Sequence, residues 1–238
     1  MVGALLVGTF LSSIEVMVAS PAMPDVVREF GGAGLYPWVF AAYIGCQTLT
    51  VPLYGKLADV WGRRPSYLLG VALFVAGSLV CATCTSMTQM VAGRALQGLG
   101  AGALVTLTIT IFGDLYTVGD RTKMQGVFSL IWGVSSLLGP AAGGWITMFW
   151  SWRGIFWINV LPGLIAAILV GSLLPGGSPG GSRSPPPAWS LLKNRTQQVL
   201  LAAGPLIGAS IIGLISYLPV QIQAIKGGTA LDLSLIHI

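Results

Sequence analysis

Apolar segments of about 20 residues, the length that crosses the hydrocarbon core of a bilayer, recur along the chain between short polar breaks. Of the 238 residues, 54% are hydrophobic and only 8% are charged, and the mean hydropathy is +0.82. About 25% of the residues in a soluble domain are charged, so this chain has too few polar side chains to cover a folded surface in water. The composition excludes a water-soluble globule and predicts an all-α protein that crosses a membrane several times.

The sequence predicts seven transmembrane helices in two groups. The connection at 175–198 contains PGGSPGGSRSPPP, which cannot form a stable helix because it is rich in glycine and proline. We therefore expect a six-helix bundle at 1–174, a cytoplasmic linker at 175–198, and the first helix of a truncated second half within 199–238. The predicted spans are 2–22, 38–55, 66–85, 89–112, 124–148, 155–174 and 199–222.

Basic residues in the connections predict the orientation, because loops rich in lysine and arginine stay in the cytoplasm. Eight basic residues lie on one side of the membrane and three on the other. We therefore expect a protein of the plasma (inner) membrane with its amino terminus on the cytoplasmic side. A seven-helix receptor has the opposite orientation. The eight are Lys56, Arg63, Arg64, Arg121, Lys123, Arg183, Lys193 and Arg195, and the three are Arg28, Arg153 and Lys226.

The connection after the second span reads GKLADVWGRRP at 55–65. Glycine at Gly55 and Gly62 permits a compact turn, and an arginine can form a fork to a carboxylate, for which Asp114 is the nearest partner. This run resembles the cytoplasmic signature of the major facilitator superfamily of secondary transporters, which implies a latch on one access state; the alternative is an ordinary basic loop. The matching residues are Gly55, Leu57, Ala58, Asp59, Gly62, Arg63 and Arg64, and the mismatch is Val60.

Arg94 opens the fourth span in the run RALQGLGAGA at 94–103. A guanidinium inside a span costs roughly 2.5–3.5 kcal/mol on insertion scales, so it should face a partner or an interior cavity. The run resembles the second signature of the superfamily, in which the matching arginine is tied to proton coupling. The alternative is that Arg94 extends to the membrane surface and the glycines only allow close helix packing.

The fifth span contains GVSSLLGPAAGG at 133–144. Pro140 removes a helix hydrogen bond, and Gly139, Gly143 and Gly144 leave the surface around it without side chains. The stretch resembles the signature of exchangers within the superfamily, although Ser135 stands where glycine is commoner, and it favours antiport. The alternative is a packing face of small residues with no role in the mechanism.

Glu15 is the only acidic residue in the interior of the first span. An ionisable group at that depth is a functional-site hypothesis by default. The surrounding run, SSIEVMVASPAMP at 12–24, resembles the first-helix signature of drug:proton antiporters, where an aspartate is usual in place of Glu15. The resemblance implies that Glu15 carries the coupled proton and that Arg94 tunes its affinity. The alternative is a hydrogen-bonded structural carboxyl.

The resemblance covers residues 1–174 and implies a proton-coupled antiporter that exports lipophilic or cationic compounds. The driving ion is then the proton, with no cofactor, and the partners are a small-molecule substrate, the lipid bilayer and a missing C-terminal half. We expect no nucleic acid partner and no enzymatic reaction, because no nucleophile motif, phosphate loop or metal cluster occurs. A uniporter or symporter for another substrate and a non-transporting membrane scaffold stay open.

Overall fold

The protein is described by a computed structural model over residues 2–174 and the separate positions 195, 198, 199 and 210. Within residues 2–174 all regular structure is helical, which confirms the predicted all-α class. Apart from those four positions, the predicted linker and seventh span lie outside the described residues. The helices are α1 Val2–Phe30, α2 Tyr36–Trp61, α3 Arg63–Thr83, α4 Met87–Leu115, α5 Val118–Phe149, α6 Arg153–Ile158 and α7 Val160–Leu173.

Five segments in the described part of the chain are long and apolar enough to cross a membrane, so the chain is an integral membrane protein. The 26 residues of α2 would extend about 39 Å as a helix, which is also enough to span, but side chains such as Gln47 and Lys56 make it less apolar. The five segments are Leu5–Phe30, Arg63–Thr83, Met87–Leu115, Lys123–Phe149 and Arg153–Leu173.

Short connections make successive spans run in opposite directions, which gives the bundle two ends. The Gly62 end holds the α2–α3 and α4–α5 connections. The Trp152 end holds the α1–α2, α3–α4 and α5–α6 connections. In the α2–α3 connection, Gly62 has a φ of 95°, a value that favours glycine. Ser86 is the N-cap residue of α4, and its hydroxyl accepts a hydrogen bond from the Gln89 N–H at 3.3 Å.

The helices pack closely because glycines remove side chains at the contacts. A Cβ on Gly98 would lie 2.2 Å from the Tyr43 carbonyl oxygen, so α4 meets the backbone of α2 there. A Cβ on Gly100 would lie 2.3 Å from the Phe74 nitrogen, which brings α3 equally close. In lipid, where apolar burial gives no driving force between helices, such close packing supplies much of the attraction.

Several observed helices extend beyond the predicted spans, α2 to residue 61 rather than 55 and α5 from residue 118 rather than 124. Two further differences involve proline. α1 continues past residue 22 to Phe30 with both Pro21 and Pro24 inside it, because prolines are tolerated in a membrane helix whose freed backbone groups find other partners. The span predicted at 155–174 is interrupted at Asn159, between α6 and α7. Pro162 explains the break, since it has no N–H for the carbonyl of Ile158 four residues earlier.

The Gly98 contact predicts a selective loss of stability. We expect Gly98→Ala to lower the stability of the bundle by about 1–3 kcal/mol, the usual cost of overpacking, because the new methyl group meets backbone rather than a flexible side chain. Gly113→Ala is the matched control in the same helix, where a Cβ has nothing within 4 Å. Thermal unfolding of both variants in detergent measures the difference, and equal midpoints would contradict the close α2–α4 packing.

Candidate functional site

Glu15 lies near the middle of α1 with its side chain fully buried. Its carboxylate meets groups from two other parts of the fold. Arg94 of α4 donates from Nη1 to Oε1 at 2.5 Å, and Asn159, at the break between α6 and α7, donates from Nδ2 to Oε2. The structure therefore brings together the two residues predicted for proton coupling and adds a third that was not predicted.

Arg94 is fully buried, so it does not extend to the membrane surface. Besides Glu15, its Nη1 donates to Gln97 Oε1 at 2.8 Å and its Nε to the Val39 carbonyl at 3.4 Å. The guanidinium also lies 4.3 Å from the centre of the Tyr43 ring, an attractive cation–π distance. These contacts from α1, α2 and α4 itself compensate part of the cost of removing the charge from water.

The polar network continues from α4 into α3. Gln97 donates from Nε2 to the Ser78 hydroxyl at 2.8 Å, and that hydroxyl donates to the Phe74 carbonyl at 3.0 Å. Gln97 and Ser78 are both fully buried. The chain of bonds fixes Gln97, which in turn holds the guanidinium that faces Glu15.

Sequence reasoning missed Gln97 and Asn159 as members of this site. Each gives a local signal: Gln97 follows Arg94 by one helical turn, so the two share a face, and Asn159 is a polar residue within an apolar span before a proline. Pro162 accounts for the break, but which helix Asn159 faces depends on how the bundle packs, so its partner could not be predicted from one sequence.

The glycine-rich face of α5 packs on α1 next to Glu15. A Cβ on Gly139 would lie 2.4 Å from the Met17 Cβ, and one on Gly143 would lie 2.3 Å from the Val18 carbonyl oxygen. Pro140 is inside α5, and both Pro140 and Gly144 are buried. The exchanger-like motif therefore forms the α1–α5 contact within one turn of the carboxylate.

A second charged cluster lies at the Gly62 end. Arg63 donates from Nε to Asp114 Oδ2, and its Nη1 lies 3.7 Å from Asp59 Oδ1. Asp114 is therefore the partner of Arg63, while Arg64 is half-buried beside it. Gly55, expected in the turn, lies inside α2 instead, because Gly62 alone supplies the turn.

A third cluster lies at the Trp152 end, around Glu29. Arg153 forms a fork to it, with Nη2 donating to Oε1 at 2.8 Å and Nη1 to Oε2 at 3.1 Å, and the Trp152 indole donates to Oε2 at 2.8 Å. Arg153 also donates to the Cys84 carbonyl at 3.3 Å, so the cluster joins three connections. Burial raises the pKa of the Cys84 thiol to about 11, which keeps it protonated near neutral pH.

The family model described as the Major Facilitator Superfamily matches residues 5–236. The chain belongs to this superfamily. The predicted superfamily is thereby confirmed.

Relatives with this sequence pattern carry transporter names. The chain is 38% identical to the multidrug transporter protein MdtP of Bacillus subtilis over 74% of the chain and 32% of MdtP. It is 37% identical to multidrug resistance protein 3 of the same organism over 70% of the chain, and 38% identical to efflux pump dotC of Dothistroma septosporum, also over 70%. The chain covers about a third of the length of these relatives, at 32%, 32% and 29%.

Solved transporters share the fold. A D-xylose–proton symporter superimposes with a TM-score of 0.69 at 18% identity, over 99% of this chain and 64% of the symporter. A peptide transporter with an E310Q substitution, in complex with alafosfalin, gives a TM-score of 0.64 at 18% identity, over 89% of this chain and 46% of the transporter. At such low identity these likenesses show a common fold only.

The buried pair predicts strongly non-additive substitutions. We expect Arg94→Gln to destabilise the protein by about 3–5 kcal/mol, because it leaves a buried carboxylate without its charge partner. Adding Glu15→Gln removes that carboxylate and should recover part of the loss. Denaturant unfolding of the single and double variants measures the coupling.

Asp120→Asn with Lys123→Gln is the control for this cycle. That pair is an exposed i,i+3 contact with 3.3 Å between the charged atoms, so its coupling should stay below about 1 kcal/mol. Additive effects at Glu15 and Arg94 would contradict an ion pair between them.

Proposed function

We propose that the protein containing this chain is a proton-coupled antiporter that exports lipophilic or cationic compounds from the cytoplasm. The observation that carries the proposal is the Glu15 carboxylate, fully buried in α1 and bound by Arg94 and Asn159. A carboxyl held away from water by a movable partner can bind and release a proton as the site opens to either side. The relatives named as multidrug transporters and efflux pumps support the substrate class.

Proton binding acts on the site through charge. When Glu15 takes up a proton, its attraction to the Arg94 guanidinium weakens, because the ion pair becomes a contact between a cation and a neutral acid. A cationic substrate and a proton would then compete for the same negative charge. One charge that crosses about 100 mV contributes about 2.3 kcal/mol, which can drive export before any pH gradient is added.

The two ends of the bundle have different roles in this proposal. The Gly62 end carries most of the basic residues, so we assign it to the cytoplasm of a plasma (inner) membrane together with the amino terminus. There the contact of Arg63 with Asp114 and Asp59 serves as the latch of the cytoplasmic side. The α1–α5 contact at Gly139 and Gly143 lets the two helices move against each other without a solvent gap.

Glu15→Gln in the full-length protein should abolish proton-coupled efflux, because the amide keeps the shape of the side chain but cannot release a proton. The measurement is export of a lipophilic cationic dye from proteoliposomes under an imposed pH gradient. Asp25→Asn is the matched control in the same helix, where the carboxylate is 30% exposed and pairs with Arg28 of the next turn.

Each outcome of that assay has a clear meaning. Loss of coupling in Glu15→Gln alone supports the proposal. Coupling retained in Glu15→Gln contradicts it. Unchanged drug resistance after neutralising both Glu15 and Arg94 favours a scaffold that does not transport.

The latch predicts a change in conformation with little change in stability. The Arg63 and Asp114 side chains are 25% and 51% exposed, so their ion pair contributes only about 1 kcal/mol or less. Asp114→Asn should leave the unfolding midpoint nearly unchanged while it shifts the balance of access states by up to about fivefold. Distances between spin labels on the two halves at the Gly62 end measure the shift.

The control for the latch is Asp120→Asn, which changes an exposed carboxylate in the first turn of α5. The same distance distribution in Asp114→Asn and the unmutated protein would rule out a latch made by this ion pair.

A further inference from the structure

The two carboxylate oxygens of Glu15 have different partners. Oε1 accepts from the Arg94 guanidinium, and Oε2 accepts from the Asn159 side-chain amide. Both contacts suit the ionised carboxylate, which can only accept hydrogen bonds. A proton on Glu15 turns one of these oxygens into a donor, and the new buried O–H needs an acceptor close by.

Arg94 cannot adapt to that change, whereas Asn159 can. A guanidinium has only donors, so it offers no acceptor for an acid O–H. An asparagine amide has the donor Nδ2 and the acceptor Oδ1 on one planar group, and a half-turn exchanges them. Gln97 is a second amide whose side chain interacts with Glu15, but its orientation is fixed because Oε1 accepts from Arg94 and Nε2 donates to Ser78.

Of the described groups around Glu15, Asn159 is the one that can accept a hydrogen bond from the protonated carboxyl by turning. The Arg94 charge of α4 lies beside the Glu15 carboxyl. Tyr43 of α2 and Cys81 of α3 also interact with Glu15 electrostatically. From α5, the buried Ser135 hydroxyl donates to Ser13 at 3.3 Å rather than reaching the carboxyl. Among the described residues, the side chain at the α6–α7 break is the one bonded to Glu15 that can reverse its hydrogen bond.

Asn159 lies at the junction between α6 and α7, where the backbone hydrogen bonds are irregular. Its own N–H donates to the Phe156 carbonyl at 3.3 Å, three residues earlier, and Gly163 N–H donates to the Asn159 carbonyl at 3.1 Å. The residue thus joins two short helices instead of lying within one continuous hydrogen-bond ladder. Pro162 supplies no N–H for the Ile158 carbonyl, so one bond of the helical ladder is missing at this point.

We propose that Asn159 is a positioning residue that responds to the proton on Glu15 by turning its amide, so that Nδ2 donates to the ionised carboxylate and Oδ1 accepts from the protonated carboxyl. The proton comes from water and stays on a Glu15 oxygen, and no other covalent bond changes. This inference rests on the proposed role of Glu15 as the proton carrier. It adds that α1 stays bonded to the α6–α7 break in both states, while its bond to α4 is the one that weakens.

The first test is spectroscopic and uses the full-length protein labelled with ¹⁵N at its asparagine side chains. The Asn159 signal is assigned by its absence from Asn159→Ser. We expect the Asn159 Nδ2 resonance to shift between alkaline and acidic pH, because this nitrogen leaves a charged acceptor. In Glu15→Gln the resonance should not depend on pH.

The second test follows Glu15 by infrared difference spectroscopy across the same pH change. The carbonyl band of protonated Glu15 is identified by its loss in Glu15→Gln. In Asn159→Leu, which removes both donor and acceptor but keeps the branching of the side chain, the band should move, because the acid O–H has lost its acceptor. Proton-coupled efflux should fall about tenfold or more, the usual effect of losing a hydrogen bond to a charged group.

Ser172→Ala is the matched control, since this residue lies in α7 and its hydroxyl donates to the Leu169 carbonyl of the same helix. It should leave both the band and efflux unchanged. A Glu15 band at the same position in Asn159→Leu, or an Asn159 resonance that ignores pH while Glu15 titrates, would overturn the inference. If no band is lost in Glu15→Gln, Glu15 is not the proton carrier and the proposed function itself fails.

Discussion

The rest of the bundle is organised around one requirement, the burial of the Glu15 carboxylate and the Arg94 guanidinium together. Removing either charge from water costs several kcal/mol even after the protein relaxes, and mutual attraction compensates only when the geometry is good and other hydrogen bonds are made. Both side chains are fully buried. Three parts of the chain that are distant in sequence, α1, α4 and the α6–α7 break, therefore have to meet within hydrogen-bond distance.

The small residues of the motifs meet that requirement. Gly98 lets α2 approach α4, and the same approach places the Tyr43 ring against the Arg94 guanidinium. On the other side of α1, Gly143 brings α5 against Val18, three residues beyond Glu15. These glycines thus help to position Glu15 and Arg94. A role in packing and a role in the mechanism are therefore compatible.

Much of this arrangement could be predicted from the sequence, and the rest has specific physical causes. A charge in an apolar span needs a partner, which singles out Glu15 and Arg94 separately, and the resemblance to the superfamily joins them in one role. The helical path of α1 through Pro21 and Pro24 depends on its packed surroundings, which override local propensity. Gly55 lies inside α2 because Gly62 supplies the turn. The contact of Asn159 with Glu15 depends on how a broken helix packs, which one sequence does not contain.

The charged clusters at the two ends differ in how many bonds each contains, and ionic strength should therefore act on them unequally. Dissolved ions screen exposed charges, so the contact of Arg63 with Asp114 and Asp59 weakens as salt rises. Around Glu29, a two-pronged fork, an indole N–H and a backbone carbonyl hold the same arginine and carboxylate. The Arg153 and Glu29 side chains are 31% and 43% exposed, so salt reaches this cluster as well, but its additional bonds should let it tolerate added salt better than the Arg63 contact does.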